Sequence, residues 1–191
     1  TILMQNYRQF IPPEFGVRQL LVEHTHFNDP EKRDHLRRLL ERAARQKTIP
    51  IIKYNDPVND EESRKMEIAA RRMAGSEVHE CVDNDETAAV IAGLVHARVL
   101  LLLTSTQGIY RDPGDPATLV REVLGKDVEE VAAKVEALRQ RCQGASRTGA
   151  NGAGAKLAYA MESVRNGSTV IIGSAQYRIN DLLAGRVPCT R

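Results

Sequence analysis

The chain has 191 residues, 42% of them hydrophobic and 27% charged, a balance that suits one folded domain and excludes a disordered tract. A formal net charge of +2 excludes the basic footprint of a nucleic-acid binder, and the longest apolar run, Val99–Leu103, is strand-sized, so no membrane span is expected. Three widely spaced cysteines, Cys81, Cys142 and Cys189, form neither a disulfide framework nor a zinc site, and with no leader pattern they point to the cytoplasm.

Taken in order, Thr1–Phe10 reads as the end of a helix closed by "IPPEFG". Val17–Glu23 follows as a strand. Asp29 and Pro30 then open a helix as N-cap and first-turn proline, with Leu36, Leu39, Leu40 and Ala43 on one face. The arginine pairs Arg37–Arg38 and Arg71–Arg72 are interleaved with glutamates, which suits solvated helix faces. "TIPIIKY" (Thr48–Tyr54) is a strand with a breaker at Pro50. Residues 57–82 read as a charged surface excursion carrying a helical segment, Glu61–Ala74.

"DNDETAAVIAGLVHA" is a capped, alanine-rich helix, and "RVLLLLT" after it reads as a strand covered on both faces. "STQGIYRDPGDP" is turn-rich, and "TLVREV" fits a further strand. Asp127–Arg141 reads as a helix with Val128, Val131, Val135 and Leu138 inward. A glycine-rich loop, "SRTGANGAGAK", leads into a helix that Gly167 ends. "TVIIGSA" is a second buried strand, and Tyr177–Ala184 a short last helix. Alternating strands and helices predict a single α/β domain over residues 1–191, built on a mainly parallel sheet. Ligands in such folds sit beyond the carboxyl ends of the strands, here at 54–58, 83–85, 104–108 and 173–177.

Each of these loops has an ordinary reading and a chemical one. Asn55-Asp56 makes an Asx turn before Pro57, or a hydrogen-bonding pair for a polar substrate. In Asp83-Asn84-Asp85 one aspartate suffices as a cap. Asn84 could orient a substrate amide or amine, and Asp85 could hold lysines around a phosphate or organise magnesium. Thr104 and Ser105 offer hydroxyls at the end of the most apolar strand. The glycine-rich loop is either a linker or a phosphate cradle, in which backbone N–H groups, the helix dipole and Lys156 converge on an anion. It lacks the Walker A spacing. His24-x-His26 and His79-x-Cys81 are pairs without a third partner, so no protein-ligated metal is expected.

The order "IPIIKYNDPV", "DNDETAAVIAGL", "LLLLTSTQGIY", "GANGAGAKLAYA", "VIIGSA" resembles the amino acid kinase family, most closely its branch that phosphorylates the γ-carboxylate of glutamate. In that branch the matching segments look like I-x-P-x-I-N-E-N-D, D-N-D, L-L-L-T-D-x-x-G-L-Y and G-T-G-G-M-x-T-K-L. The resemblance runs from about Val17 to Cys189. It implies an α/β/α sandwich that uses ATP and Mg2+ to make L-glutamyl 5-phosphate, the first step of proline synthesis. It further implies that Asp56 and Asn84 hold L-glutamate, that Asp85 organises the lysines, and that Lys156 acts on the phosphoryl group. Thr104 and Ser105 would contact the nucleotide. Ala150, Asn151, Gly152, Ala153, Gly154, Ala155 and Lys156 would wrap its phosphates.

The chain departs from the pattern in places. Ser105 stands where the family has aspartate, Lys53-Tyr54 replaces Asn-Glu, and Ala150, Asn151 and Ala153 alter the phosphate loop. The family's first strand, with a phosphate-binding lysine, and its Ser-Ser-Gly-Ala-type loop have no counterpart here, so an N-terminally incomplete domain is expected. A parallel sheet lacking its first strands exposes apolar edges, which predicts a homo-oligomer.

Overall fold

A computed structural model describes residues 2–55, 73, 84–112, 114–141 and 152–191. The chain divides into two compact units, Thr1–Thr87 and Ala88–Arg191. Most of the expected charged excursion, with Asp56, lies outside the described residues, as do Asp83, Ala150 and Asn151.

In the first unit, helix α1 (Ile2–Phe10) leads to strand β1 (Gly16–Val22), a short helix α2 (Thr25–Asn28), the long helix α3 (Pro30–Arg45) and strand β2 (Thr48–Tyr54). The two strands pair in parallel from Gly16↔Thr48 to Val22↔Tyr54. Helix α3 starts where the sequence predicts. The Asp29 Oδ1 accepts the Glu31 and Lys32 N–H groups at 3.0 and 3.1 Å, and Pro30, with no N–H to offer, fills the first turn. Leu36 and Leu40 are its buried residues. Its outer face carries the arginines: Arg37 bonds Asp34 and Glu41 at 2.6 Å each. The Arg37 hydrogen bond, with the nearby Arg38 charge, holds the Asp34 carboxyl below its ordinary range, and Asp34 and Glu41 raise Arg37 in turn. Pro50 does not break β2. Among the described residues this strand is paired on one side only, where a missing N–H is tolerated.

The second unit contains most of helix α4 (Asn84–Leu94), strand β3 (Val99–Thr104), a single 3₁₀ turn at Pro116–Thr118, helices α5 (Val128–Arg141) and α6 (Gly152–Arg165), strand β4 (Thr169–Ser174), helix α7 (Ile179–Leu183) and strand β5 (Cys189–Thr190). The sheet order is β3-β4-β5, with β3 and β4 parallel and β5 antiparallel. Alternation along the strands divides the interior between the two faces. Leu100, Leu102, Val170 and Ile172 join Ala89 and Ala92 of α4, Val135 of α5, and Leu157, Ala160 and Met161 of α6 in one core. Ile171 turns the other way, to Leu182 of α7 and Cys189, with Leu101 and Tyr177 packed on them. The unit is therefore three layers, helices on both faces of the sheet, as the α/β reading requires.

Four expectations are corrected. The run "VLLLL" is not covered throughout: Val99 and Leu103 are 41% and 46% exposed. They share the face of Leu101, and the α7 that covers it is five residues long. Such a helix spans about 7.5 Å, against about 20 Å for the strand, so it shields only the middle. "TLVREV" is not a strand. Val120 N–H bonds Ile109 C=O at 2.8 Å, while Val123 N–H bonds Arg191 C=O at 2.7 Å and Arg191 N–H bonds Arg121 C=O at 3.0 Å. The segment divides its hydrogen bonds between two neighbours, and no ladder forms. Val128 is exposed at the first residue of α5, before the helix reaches the core. The last helix is shorter than expected, Ile179–Leu183, because Gly185, at φ 68°, closes it. The short α2 and β5 were not expected.

Candidate functional site

In the second unit β3 and β4 finish side by side, Thr104 opposite Ser174. The loops that leave them are the candidate site. Ala175 N–H donates to Thr104 C=O at 2.9 Å, tying the two strand ends together. The Ser174 hydroxyl accepts the Gln176 N–H at 3.2 Å. Beyond Thr104 the chain bends through Ser105, Thr106 and Gln107, all exposed. The Thr106 hydroxyl donates to Gly108 C=O at 3.1 Å, and the Gln107 side-chain amide donates to the Tyr177 hydroxyl oxygen at 3.1 Å.

Thr190 of β5 fixes the far end of this loop. Its buried hydroxyl accepts the Ile109 N–H at 2.8 Å and donates to Val120 C=O at 2.6 Å. Gly108 passes so close that a Cβ there would stand 2.5 Å from the Thr190 Oγ1. Only glycine permits that approach.

Helix α6 is packed on β4 and joined to it by the three residues 166–168. A helix that lies against the strand it precedes runs antiparallel to it. Fourteen residues of helix and six of strand are both about 20 Å long, so the amino end of α6 comes to the end of the sheet where β3 and β4 finish. Residues 152–156, read from sequence as loop, are already helical. Gly152, at φ 51°, opens the helix in a conformation that suits glycine. The first N–H groups of α6 have no intrahelical partner, and Lys156, half-buried, is its fifth residue. This arrangement suits the phosphates of a nucleotide: several amides, a helix dipole and one cation.

Asn84 and Asp85 occupy the first turn of α4, Asn84 exposed and Asp85 half-buried, with Glu86 and Thr87 buried behind them. In the first unit the ends of β1 and β2 are also adjacent. Asn55 N–H donates to Val22 C=O at 2.7 Å and its side-chain amide donates to the Glu23 carboxylate at 3.0 Å. The Glu23 N–H in turn donates to the His26 Nδ1 at 3.0 Å, so one member of the His-x-His pair serves the backbone.

Glu23, Gln107, Ser174, Tyr177 and Thr190 were missed as single residues, although parallel pairing brings the loops after β3 and β4 together. Cys189-Thr190 stands where the resembling family has Gly-Thr, but a two-residue β5 gave no sign that Thr190 would hold the loop. Among the described residues no group of three or more His, Cys, Asp or Glu side chains could hold a metal. A magnesium ion carried on nucleotide phosphates keeps most of its waters and needs no such cage. No described helix is long and apolar enough to cross a membrane.

The chain is 27% identical over 191 residues to the glutamate 5-kinase of Shouchella clausii and 29% identical over 189 residues to that of Geobacillus thermodenitrificans. Each match covers 97% of this chain and 45% of the relative. The glutamate 5-kinase of Frankia casuarinae is 34% identical over 157 residues, 81% of this chain and 35% of its own length. The chain thus spans less than half the length of the curated relatives it matches. The sequence profile described as "Amino acid kinase family" matches residues 2–174, most of both units, and the chain belongs to the amino acid kinase family.

Proposed function

We propose that the intact protein phosphorylates the γ-carboxylate of L-glutamate with ATP and Mg2+, giving L-glutamyl 5-phosphate for proline synthesis. The observation that supports this reading is that β3 and β4 finish together at Thr104 and Ser174, the sheet end toward which the length of α6 brings its amino end and Lys156. A carboxylate oxygen attacks the γ-phosphorus as the bond to the β,γ-bridging oxygen breaks, and ADP leaves. The transfer asks the protein for position and charge neutralisation rather than covalent chemistry. Asp56 and Asn84 hold the glutamate, Asp85 orders the cationic groups, and Thr104 and Ser105 contact the nucleotide. The segment from Ala150 to Lys156 takes its phosphates. Bound magnesium neutralises charge on the phosphate oxygens.

The test is formation of glutamyl phosphate by the intact protein, trapped as the hydroxamate. Lys156→Ala should lower kcat/KM at least about 150-fold, equivalent to about 3 kcal/mol of transition-state stabilisation. Normal turnover in that variant sinks the role of Lys156, and no product from the wild type sinks the reading. Ser105 in place of the family's aspartate motivates a second reading, a nucleotide-binding partner without turnover. Tight Mg-ATP binding with no hydroxamate favours it.

A further inference from the structure

We propose that the hydrogen bond between Gln107 and Tyr177 is a clasp that presets the nucleotide-contacting loop after β3, making both of them positioning residues for ATP. The inference rests on the reading that Thr104 and Ser105 contact the nucleotide.

The loop's backbone is anchored at both ends: Thr104 C=O accepts the Ala175 N–H, and Ile109 N–H donates to the Thr190 hydroxyl. Between these anchors Ser105, Thr106 and Gln107 are exposed, and no burial holds them. Thr106 bonds only within the loop, to Gly108 C=O and weakly, at 3.5 Å, to the Thr104 hydroxyl. Gln107 alone among the three reaches across to the other strand-end loop, 70 positions away in sequence, to the Tyr177 hydroxyl at 3.1 Å.

Tyr177 is a fixed post for that bond. Its side chain packs against the Ile171–Leu182–Cys189 cluster, and its N–H bonds Ser174 C=O at 3.2 Å. An exposed tip tied to a fixed post loses backbone freedom before the ligand arrives, and affinity gains what binding then need not spend on ordering. The bond is exposed, so its removal barely touches global stability.

The experiment uses the intact protein, with the non-hydrolysable Mg-AMPPNP as binding probe and steady-state phosphorylation beside it. Tyr177→Phe keeps the ring and removes the hydroxyl, and Gln107→Leu removes the other partner. Each should raise the Kd for Mg-AMPPNP and the KM for ATP about five-fold, the size of one net hydrogen bond. The KM for glutamate, kcat at saturating ATP and Tm should stay at their wild-type values. The double variant should be no worse than either single one. Without nucleotide, amide exchange at residues 105–107 should quicken in Tyr177→Phe.

Unchanged exchange in Tyr177→Phe overturns the clasp whatever the protein binds. A wild-type Kd in a variant whose parent binds Mg-AMPPNP overturns its role in nucleotide binding. A wild type that ignores Mg-AMPPNP, while Tyr177→Phe still shows the quickened exchange, overturns the functional reading instead.

Discussion

The close approach of Gly108 to Thr190 yields a sharp stability prediction. In Gly108→Ala the new methyl would stand 2.5 Å from the Thr190 Oγ1, 3.0 Å from the Thr190 backbone nitrogen and 3.1 Å from the Leu119 Cδ1. Ordinary contact begins near 3.4 Å, so the hydroxyl must give way by about 0.9 Å. It is poorly placed to do so. Its oxygen is held from the Ile109 N–H at 2.8 Å and toward Val120 C=O at 2.6 Å, and Thr190 is 4% exposed. A shift of that size breaks at least the Ile109 bond. The cost is roughly 1–3 kcal/mol for a buried donor left without a partner, on top of overpacking of similar size. We expect a loss of about 2–6 kcal/mol, seen as a fall in Tm of roughly 5–20 °C in thermal unfolding.

Thr190→Ala supplies the control. It removes the clashing oxygen and both of its hydrogen bonds, so it should cost about 2 kcal/mol alone. Adding Gly108→Ala in that background should then cost much less than in the wild type, a coupling of about 1–2 kcal/mol. The coupling is partial, because the Thr190 backbone nitrogen stays in place. If the two losses add within about 0.5 kcal/mol, or if Gly108→Ala is neutral, the loop is not pinned by Thr190 and the reasoning fails.

Three further predictions concern the helices that carry the loops. Helix α4 ends with Ala97 N–H on Ala92 C=O at 2.8 Å and His96 N–H on Gly93 C=O at 3.2 Å, a Schellman pattern in which His96 takes φ 50°. The same pattern after α6 uses Gly167, so His96→Gly should stabilise the protein by about 1 kcal/mol, read as a higher denaturant midpoint. Asp29→Ala removes the cap of α3 and should cost about 1 kcal/mol in the same assay, whereas Asp29→Asn should cost far less. At the start of α5 the Lys126 N–H and then Lys134 hold the Glu130 carboxyl below its ordinary 4.5. A carboxyl lowered by folding adds stability that is present above its unfolded pKa and disappears as pH falls through the folded one. The Tm gap between wild type and Glu130→Gln should therefore be present at pH 7 and shrink as pH falls below 4.5, and a gap that widens in acid contradicts the assignment.

The parts of the fold legible in sequence were those where a local signal and tertiary burial agree. Asp29-Pro30 fixed the start of α3, and "TVIIGS" became β4 because both of its faces are covered. "TLVREV" has the same β-branched, alternating look as a strand, but pairing is non-local, and its hydrogen bonds go to Ile109 and Arg191 in turn. The apolar run of β3 likewise could not reveal that α7 would be too short to cover Leu103. At the site, Thr104 and Ser105 were visible as polar residues ending a strand. The role of Thr190 was not, because a two-residue strand has no period to detect. Glu23 ended an expected strand and Tyr177 an expected strand-end loop, but only strand pairing set them beside Asn55 and Gln107.

The glycine-rich stretch before Lys156 shows how far composition alone can mislead. Glycine costs a helix interior about 1 kcal/mol relative to alanine, so "GAGAK" reads as loop. Its alanines and the burial of Leu157, Ala160 and Met161 outweigh that cost and carry the helix back to Gly152. The change of state matters for chemistry. In a loop, a lysine has no set relation to its neighbours' amides. In a helix, residues 152 and 156 lie on one face a turn apart, and each Cα–Cβ bond tilts toward the amino end. Lys156 thus leaves the backbone leaning toward the very N–H groups that have no intrahelical partner. One position later, at Leu157, the same side chain would start about 100° around the axis, on the face that packs into the core. The spacing between Gly152 and Lys156, more than the glycine content, is what fits this segment to a phosphate.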